Sequence, residues 1–150
     1  MRRKTVLASG AFDLLHYGHL AFLQEAKKAG GKNAKLIVLV ARDKTVEARK
    51  GKRPVVPEDQ RRALIEALKP VDEAILGFED MNYEAVITKL KPDVIAVGYD
   101  QLDIKRSVEE IVRRKGLKIK VYEAKKFSAD EIDSSSKIKK RVIELESGNT

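Results

Sequence analysis

Strand-length apolar runs alternate with helix-patterned segments along the whole of this 150-residue chain, and that alternation restricts the fold more than any other feature. The runs lie at Thr5 to Ser9, Leu36 to Ala41, Ala74 to Phe78, Val94 to Val97 and Leu117 to Tyr122. Leu20, Leu23 and Ala26 mark a first helix that stops at Gly30 and Gly31. Pro57 suits the first turn of the next, with Glu58 and Asp59 on its positive end, Leu64, Ala67 and Leu68 on its buried stripe, and Pro70 just past its end. Val86, Ile87 and Leu90 give a short helix before Pro92, and Val108, Ile111 and Val112 another that Gly116 ends. The last helix carries Ile138, Val142 and Leu145 and opens in Ser134, Ser135 and Ser136, any of which can cap it. Strand, helix, strand in this repetition predicts an α/β fold, a doubly wound parallel five-stranded sheet of Rossmann-like type with helices on both faces. Residues 1–150 read as a single domain, with 146–150 as a frayed tail. The ligand crevice of such a sheet lies outside the carboxyl ends of its strands, at the switch point. That rule brings Gly10 to His19, Arg42 to Lys44, Gly98 to Asp100 and the serine-capped helix to one rim.

Composition removes several kinds of chemistry. The chain has no cysteine, which excludes disulfides, thiol nucleophiles and thiolate metal sites together. No apolar run approaches the ~18 residues of a membrane span, and Met1 to Lys4 lead straight into a strand, so no membrane association and a cytoplasmic location are expected. The net charge of +8 raises the question of nucleic acid. The few aromatics are dispersed, and no stacking platform for RNA bases is visible, which argues against that partner. Between Arg42 and Arg62 eight basic residues face four acidic ones. Gly51 and Pro54 within this stretch predict a flexible loop whose lysines and arginines either close on a polyphosphate or simply face solvent.

Both histidines of the chain fall in one tetrapeptide, His16, Tyr17, Gly18, His19, between the first strand's turn and the first helix. A strand-turn-helix junction with Gly10 and Gly18 at close-approach points lets backbone N–H groups and a helix dipole meet an anion. Two imidazoles three residues apart can converge on the same anion. Zinc would need two further carboxylates here, since there is neither a third histidine nor a cysteine. Solvated loop histidines are the other bland alternative, and the two glycines weigh against it.

Gly10, Ala11, Phe12, Asp13, Leu14, Leu15, His16, Tyr17, Gly18, His19 resembles the G-x-F-D-x-x-H-x-G-H signature of the cytidylyltransferase-like nucleotidyltransferases. Ser134 to Ile138 resembles that family's second signature, a serine- or threonine-rich turn opening the final helix. Val40 to Asp43, Lys50 to Pro54, Pro57 to Arg61, Leu68 to Asp72 and Gly98 to Gln101 are most similar to archaeal-type FAD synthases, which transfer AMP from ATP to FMN and release pyrophosphate. Ala11 and Tyr17 stand where threonine and proline are usual in the family, and cysteines found near the C-terminus of some relatives are absent.

The resemblance implies His16, His19 and Lys44 as catalytic residues, the histidines donating to the α- and β-phosphates. It implies a nucleotide site made of Gly10, Ala11, Phe12, His16, Tyr17, Gly18, His19, Arg42, Gly98, Asp100, Ser134, Ser135 and Ser136. Lys44, with Arg42 and Lys52, is the candidate for the leaving pyrophosphate, solvated charge being the alternative. Mg²⁺ enters on the triphosphate rather than in a protein cage, with Asp13 as the one nearby carboxylate; a backbone-binding role for Asp13 is the alternative. Phe78, Tyr99 and Phe127 are the aromatics placed to meet a flavin ring. A sugar- or polyol-phosphate nucleotidyltransferase using ATP or CTP shares most of these features and stays open beside FMN, as does a homodimeric assembly.

Overall fold

The computed structural model describes residues 2–77, 82–125 and 134–148. Its elements run β1 (Thr5–Gly10), α1 (Tyr17–Ala29), β2 (Lys35–Val40), α2 (Asp43–Lys50), α3 (Glu58–Glu66), β3 (Glu73–Leu76), α4 (Tyr83–Leu90), β4 (Val94–Val97), α5 (Leu102–Lys115), β5 (Lys120–Glu123) and α6 (Ser135–Glu146). The five strands form one all-parallel sheet in the order β3-β2-β1-β4-β5. This is the doubly wound α/β architecture that the alternating pattern predicts.

The central strands are apolar at consecutive positions because both faces of the sheet are covered. Alternate residues sort the core into two halves. Val6, Ala8, Leu36, Val38, Val40, Val94 and Ala96 face Leu23 and Ala26 of α1 and Ile65 of α3. Leu7, Ile37, Leu39, Ile95 and Val97 face Val86 and Ile87 of α4 and Ile104 and Val108 of α5. The helices change sides because the chain first moves outward from β1 to β2 and β3, then returns to place β4 on the other flank of β1; right-handed crossovers in opposite directions occupy opposite faces. The reversal leaves a crevice between the C-terminal ends of β1 and β4.

Three elements depart from the expectation, the first being α3, whose buried residues are Arg61 and Ile65 while Leu64 and Ala67 are exposed. The basic stretch after β2 is not a flexible loop as a whole: residues from Asp43 to Lys50 form α2, closed by Gly51 in the left-handed conformation (φ 73°). Asp43 sits in the first turn and Arg49 and Lys50 in the last, the charge order that the helix dipole favours. The fifth strand begins at Lys120, with Leu117 and Ile119 packed against the α4/α5 core as lead-in. Phe78, expected at the end of the third strand, lies outside the described residues, and among the described residues no helix is long and apolar enough to cross a membrane.

Arg61 of α3 is fully buried, unusual for a charged side chain. Its Nε donates to the Val56 carbonyl (2.8 Å), one terminal nitrogen donates to the carbonyls of Ala11 and Ala41 (both 2.7 Å), and the other pairs with Asp43 (2.7 Å). One guanidinium therefore joins the turn after β1, the end of β2 and the start of α2. Removing it strands three carbonyls and a carboxylate around a cavity, so Arg61→Met is expected to lower unfolding stability by about 3 to 5 kcal/mol in urea titration. A loss below about 1 kcal/mol would mean that water replaces the guanidinium without cost.

Candidate active site

A cleft of about 810 Å³ opens over the crevice between β1 and β4. Its floor is the turn after β1. Phe12 adopts a left-handed backbone (φ 52°), rare for an aromatic residue, and its ring folds back so closely that a Cβ on Gly10 would stand 2.8 Å from it. The glycine is needed to admit the ring. Phe12 is itself buried and meets His19 edge-on at 5.4 Å, so its side chain supports the imidazole from below.

His16 is the N-cap of α1 and His19 lies on its first turn, with the two rings stacked at 3.8 Å. The backbone N–H of His16 donates to Nδ1 of His19 (3.3 Å). In the neutral ring the proton is then on Nε2, which becomes a donor. Burial, reinforced by the charges of His16 and Lys50, pushes the His19 pKa down to about 4, against a smaller opposing pull from Asp13. The ring is neutral at pH 7.

The serine turn closes the cleft from the far end of the chain. Ser134 caps α6 by accepting from the Lys137 N–H (3.2 Å), and Ser135 meets both the N–H and the carbonyl of Leu14 at 3.4 Å. The N-termini of α1 and α6 are thereby brought together, and Ser134, Ser135 and Ser136 all line the cleft with Gly10, Ala11, Gly18 and the two histidines. On the β4 side, Gly98 donates its N–H to the Gln101 side chain (2.8 Å), which in turn donates to the Ser9 carbonyl (3.0 Å) and ties β4 to β1. A Cβ on Gly98 would meet the Asp100 carboxylate at 2.9 Å, and both residues line the cleft.

Other expected residues are placed elsewhere. Arg42 is held outside the cleft by the Gly77 carbonyl (2.7 Å) and Glu58 (3.4 Å). Lys44 is exposed on the first turn of α2 and does not line the cleft, whereas Lys50 on the last turn does. Six residues along a helix set the two side chains about 120° apart around the axis and about 9 Å apart along it, so helix formation itself separates the two lysines. Lys52 is likewise absent from the lining. Tyr17 is exposed and borders a shallower depression with Leu15, Leu20 and Leu68, behind the histidines.

Asp13 is buried, and both its oxygens are taken by backbone N–H groups, Val55 at 2.9 Å and Val56 at 2.8 Å. This is the backbone-binding alternative, made across 42 residues rather than within the local turn. It leaves the carboxylate poorly disposed toward a metal, and among the described residues no three His, Asp or Glu side chains are grouped to hold one. Tyr99 borders the cleft, while Phe78 and Phe127 lie outside the described residues. Sequence reasoning did not pick out Arg61 or the Tyr83 hydroxyl, which contacts Ser9 at 3.3 Å, and took in Lys50 only as one of the basic residues able to close on a polyphosphate. For Arg61 a signal exists: it shares the buried stripe of α3 with Ile65, where an apolar residue is the norm.

The cytidylyltransferase-like family model matches residues 7–141, and the chain belongs to that family. Among its relatives, the FAD synthase of Methanothermobacter marburgensis is 49% identical over 144 residues, covering 95% of this chain and 88% of the relative. The FAD synthase of Methanopyrus kandleri is 48% identical over 142 residues, covering 95% and 93%. A solved structure from Thermoplasma volcanium, described as a lipopolysaccharide core biosynthesis protein, is 38% identical with a TM-score of 0.75, covering 83% of this chain and 98% of its own.

The low pKa of His19 carries a stability signature. Unfolded, the ring titrates near 6.5, and folded near 4, so between those values the unfolded chain holds the extra proton. Stability is complete above pH 6.5 and falls toward pH 4 by up to about 3 kcal/mol. Urea midpoints at pH 7 and pH 4.5 should therefore differ more for the wild type than for His19→Gln. An equal acid loss in both would remove His19 as the titrating group.

Proposed function

We propose that this protein is an FMN adenylyltransferase, which transfers AMP from ATP to FMN and releases pyrophosphate. The observation that carries the reading is the near-complete alignment with FAD synthases at 49% and 48% identity, laid over a cleft in which two histidines and two helix N-termini converge.

A phosphate oxygen of the acceptor attacks the α-phosphorus in line. The new P–O bond forms as the bond from the α-phosphorus to the bridging oxygen breaks, and pyrophosphate leaves with the electron pair. The acceptor's second phosphate pKa is about 6, so it is largely a dianion at pH 7 and needs no general base. Catalysis reduces to positioning and to stabilising charge on the phosphoryl oxygens. His19 offers Nε2–H as a neutral donor whose orientation is set by the His16 N–H and the Phe12 ring. A polyanion beside the ring raises its pKa, so the donor is strengthened when the nucleotide arrives.

His16 donates to the same phosphates, and Lys50 takes the place first considered for Lys44 beside the leaving pyrophosphate. The α6 N-terminus with Ser135 and Ser136 receives the outer phosphates. Asp100, which lines the cleft beyond β4, takes the ribose hydroxyls in this reading. A divalent cation carried by the triphosphate would neutralise part of its charge; the Asp13 carboxylate, committed to Val55 and Val56, is not disposed to hold it.

Removing either imidazole should lower kcat about 100- to 1,000-fold while leaving cooperative unfolding intact. His16→Ala and His19→Ala can be compared with the wild type by pyrophosphate release; near-normal turnover in either would remove that ring from the donor site. The acceptor is tested by supplying ATP, Mg²⁺ and FMN and following FAD by chromatography. Formation of FAD is expected. Pyrophosphate release with heptose 1-phosphate or glycerol 3-phosphate, and none with FMN, would replace this reading by a sugar- or polyol-phosphate nucleotidyltransferase.

A further inference from the structure

The cleft has an arm that the phosphate chemistry does not use. Its lining takes in His19, Ala21, Phe22 and Glu25 of α1 together with Ala124 and Lys125 just beyond β5. Glu25 is held in a fixed orientation. Its Oε1 accepts from the Tyr122 hydroxyl (2.8 Å) and from the Lys125 backbone N–H (3.3 Å). Both bonds fall on one oxygen, and among the described residues no donor is bonded to Oε2.

A carboxylate lining a cleft that gathers a polyanion is electrostatically misplaced unless it stands well away from the phosphates. Glu25 does, being nine residues beyond the N-cap His16, or about 13 Å at the helical rise. That interval leaves room for a ribose and a base between the phosphates and the carboxylate. Ala21, Phe22 and Ala124 supply apolar walls along the arm, as the faces of a planar heterocycle require.

We propose that Glu25 reads the base of the donor nucleotide, accepting a hydrogen bond from an exocyclic amine and rejecting a ring carbonyl at the same edge. A carboxylate is acceptor-only and binds an amine through a charge-assisted bond. Facing a carbonyl, it sets two acceptors against each other with no proton between them, which discriminates by repulsion as well as by loss of the bond. The Tyr122 hydroxyl and the Lys125 N–H prevent the carboxylate from turning away. Adenine satisfies this edge in ATP, and cytosine carries the same amine. The inference rests on the cleft being a nucleotidyl-donor site and is independent of FMN as acceptor.

ATP and ITP differ at this edge by amine against carbonyl, and CTP and UTP repeat the contrast on a smaller ring. Calorimetric binding without acceptor, and kcat/KM from pyrophosphate release with it, should favour ATP over ITP by about 10- to 100-fold in the wild type. In Glu25→Gln the amide can offer its NH₂ to a carbonyl, so the preference should narrow by about tenfold. Its oxygen still accepts from Tyr122 and Lys125, and the thermal midpoint should stay near that of the wild type.

An unchanged ATP/ITP and CTP/UTP preference in Glu25→Gln, or no preference in the wild type, would overturn the proposal. A lowered midpoint with selectivity intact would also overturn it, by assigning Glu25 to the join between α1 and the end of β5. Failure to form FAD with the base preference present would remove the FMN reading and leave this inference standing.

Discussion

The Arg61 guanidinium is the contact on which the floor of the cleft depends. The turn after β1, the end of β2 and the start of α2 all end in backbone groups or charges that lack partners of their own, and Arg61 joins them at one point. Asp13 completes the same junction from the opposite direction by taking the N–H groups of Val55 and Val56, while Arg61 takes the Val56 carbonyl. A buried ion of this kind is a doubtful source of net stability, because desolvation offsets most of its attraction. What it supplies is position: the left-handed Phe12, stacked over Gly10 and under His19, is held at the middle of this junction.

From that platform the site's electrostatics follow with few charged side chains. Two helix N-termini meet there because Ser135 of α6 touches the backbone at Leu14, two residues before α1 is capped by His16. Backbone dipoles cost little to keep in place, and they do not have to be neutralised when the cleft is empty. A pair of protonated histidines in contact would repel each other; the low pKa of His19 avoids that and leaves a directed donor in place of a full charge. The long basic side chains expected to crowd the site are instead distributed by α2, which keeps Lys50 on the cleft and turns Lys44 away.

The topological reversal gives the cleft its two flanks. Because β2 and β4 lie on either side of β1, residues after each of them reach the same opening from opposite sides. Gln101 locks one flank by joining Gly98 to Ser9, and the part of the cleft lined by Glu25 of α1 and by Ala124 and Lys125 lies toward that same flank.

Sequence alone determined the fold class and the local motifs of the candidate site. Consecutive apolar residues in Leu36 to Val40 and Val94 to Val97 admit only a sheet covered on both faces, and the histidine tetrapeptide and serine turn are local patterns whose chemistry depends on spacing along one helix start. Helix α2 was not legible, since Lys44 to Lys50 has no strong apolar stripe; only Thr45 and Val46 are buried, and tertiary contacts select the conformation. The assignments of Arg42 and Asp13 turned on partners far away in the chain, Gly77, Glu58, Val55 and Val56, which no local pattern announces. Arg61 and Glu25 read as surface charges until the fold brings carbonyls to one and Tyr122 to the other. Backbone propensity and burial act over neighbouring residues and are written in the sequence, whereas the partner of a charge is set by long-range packing, and only the tertiary structure decides it.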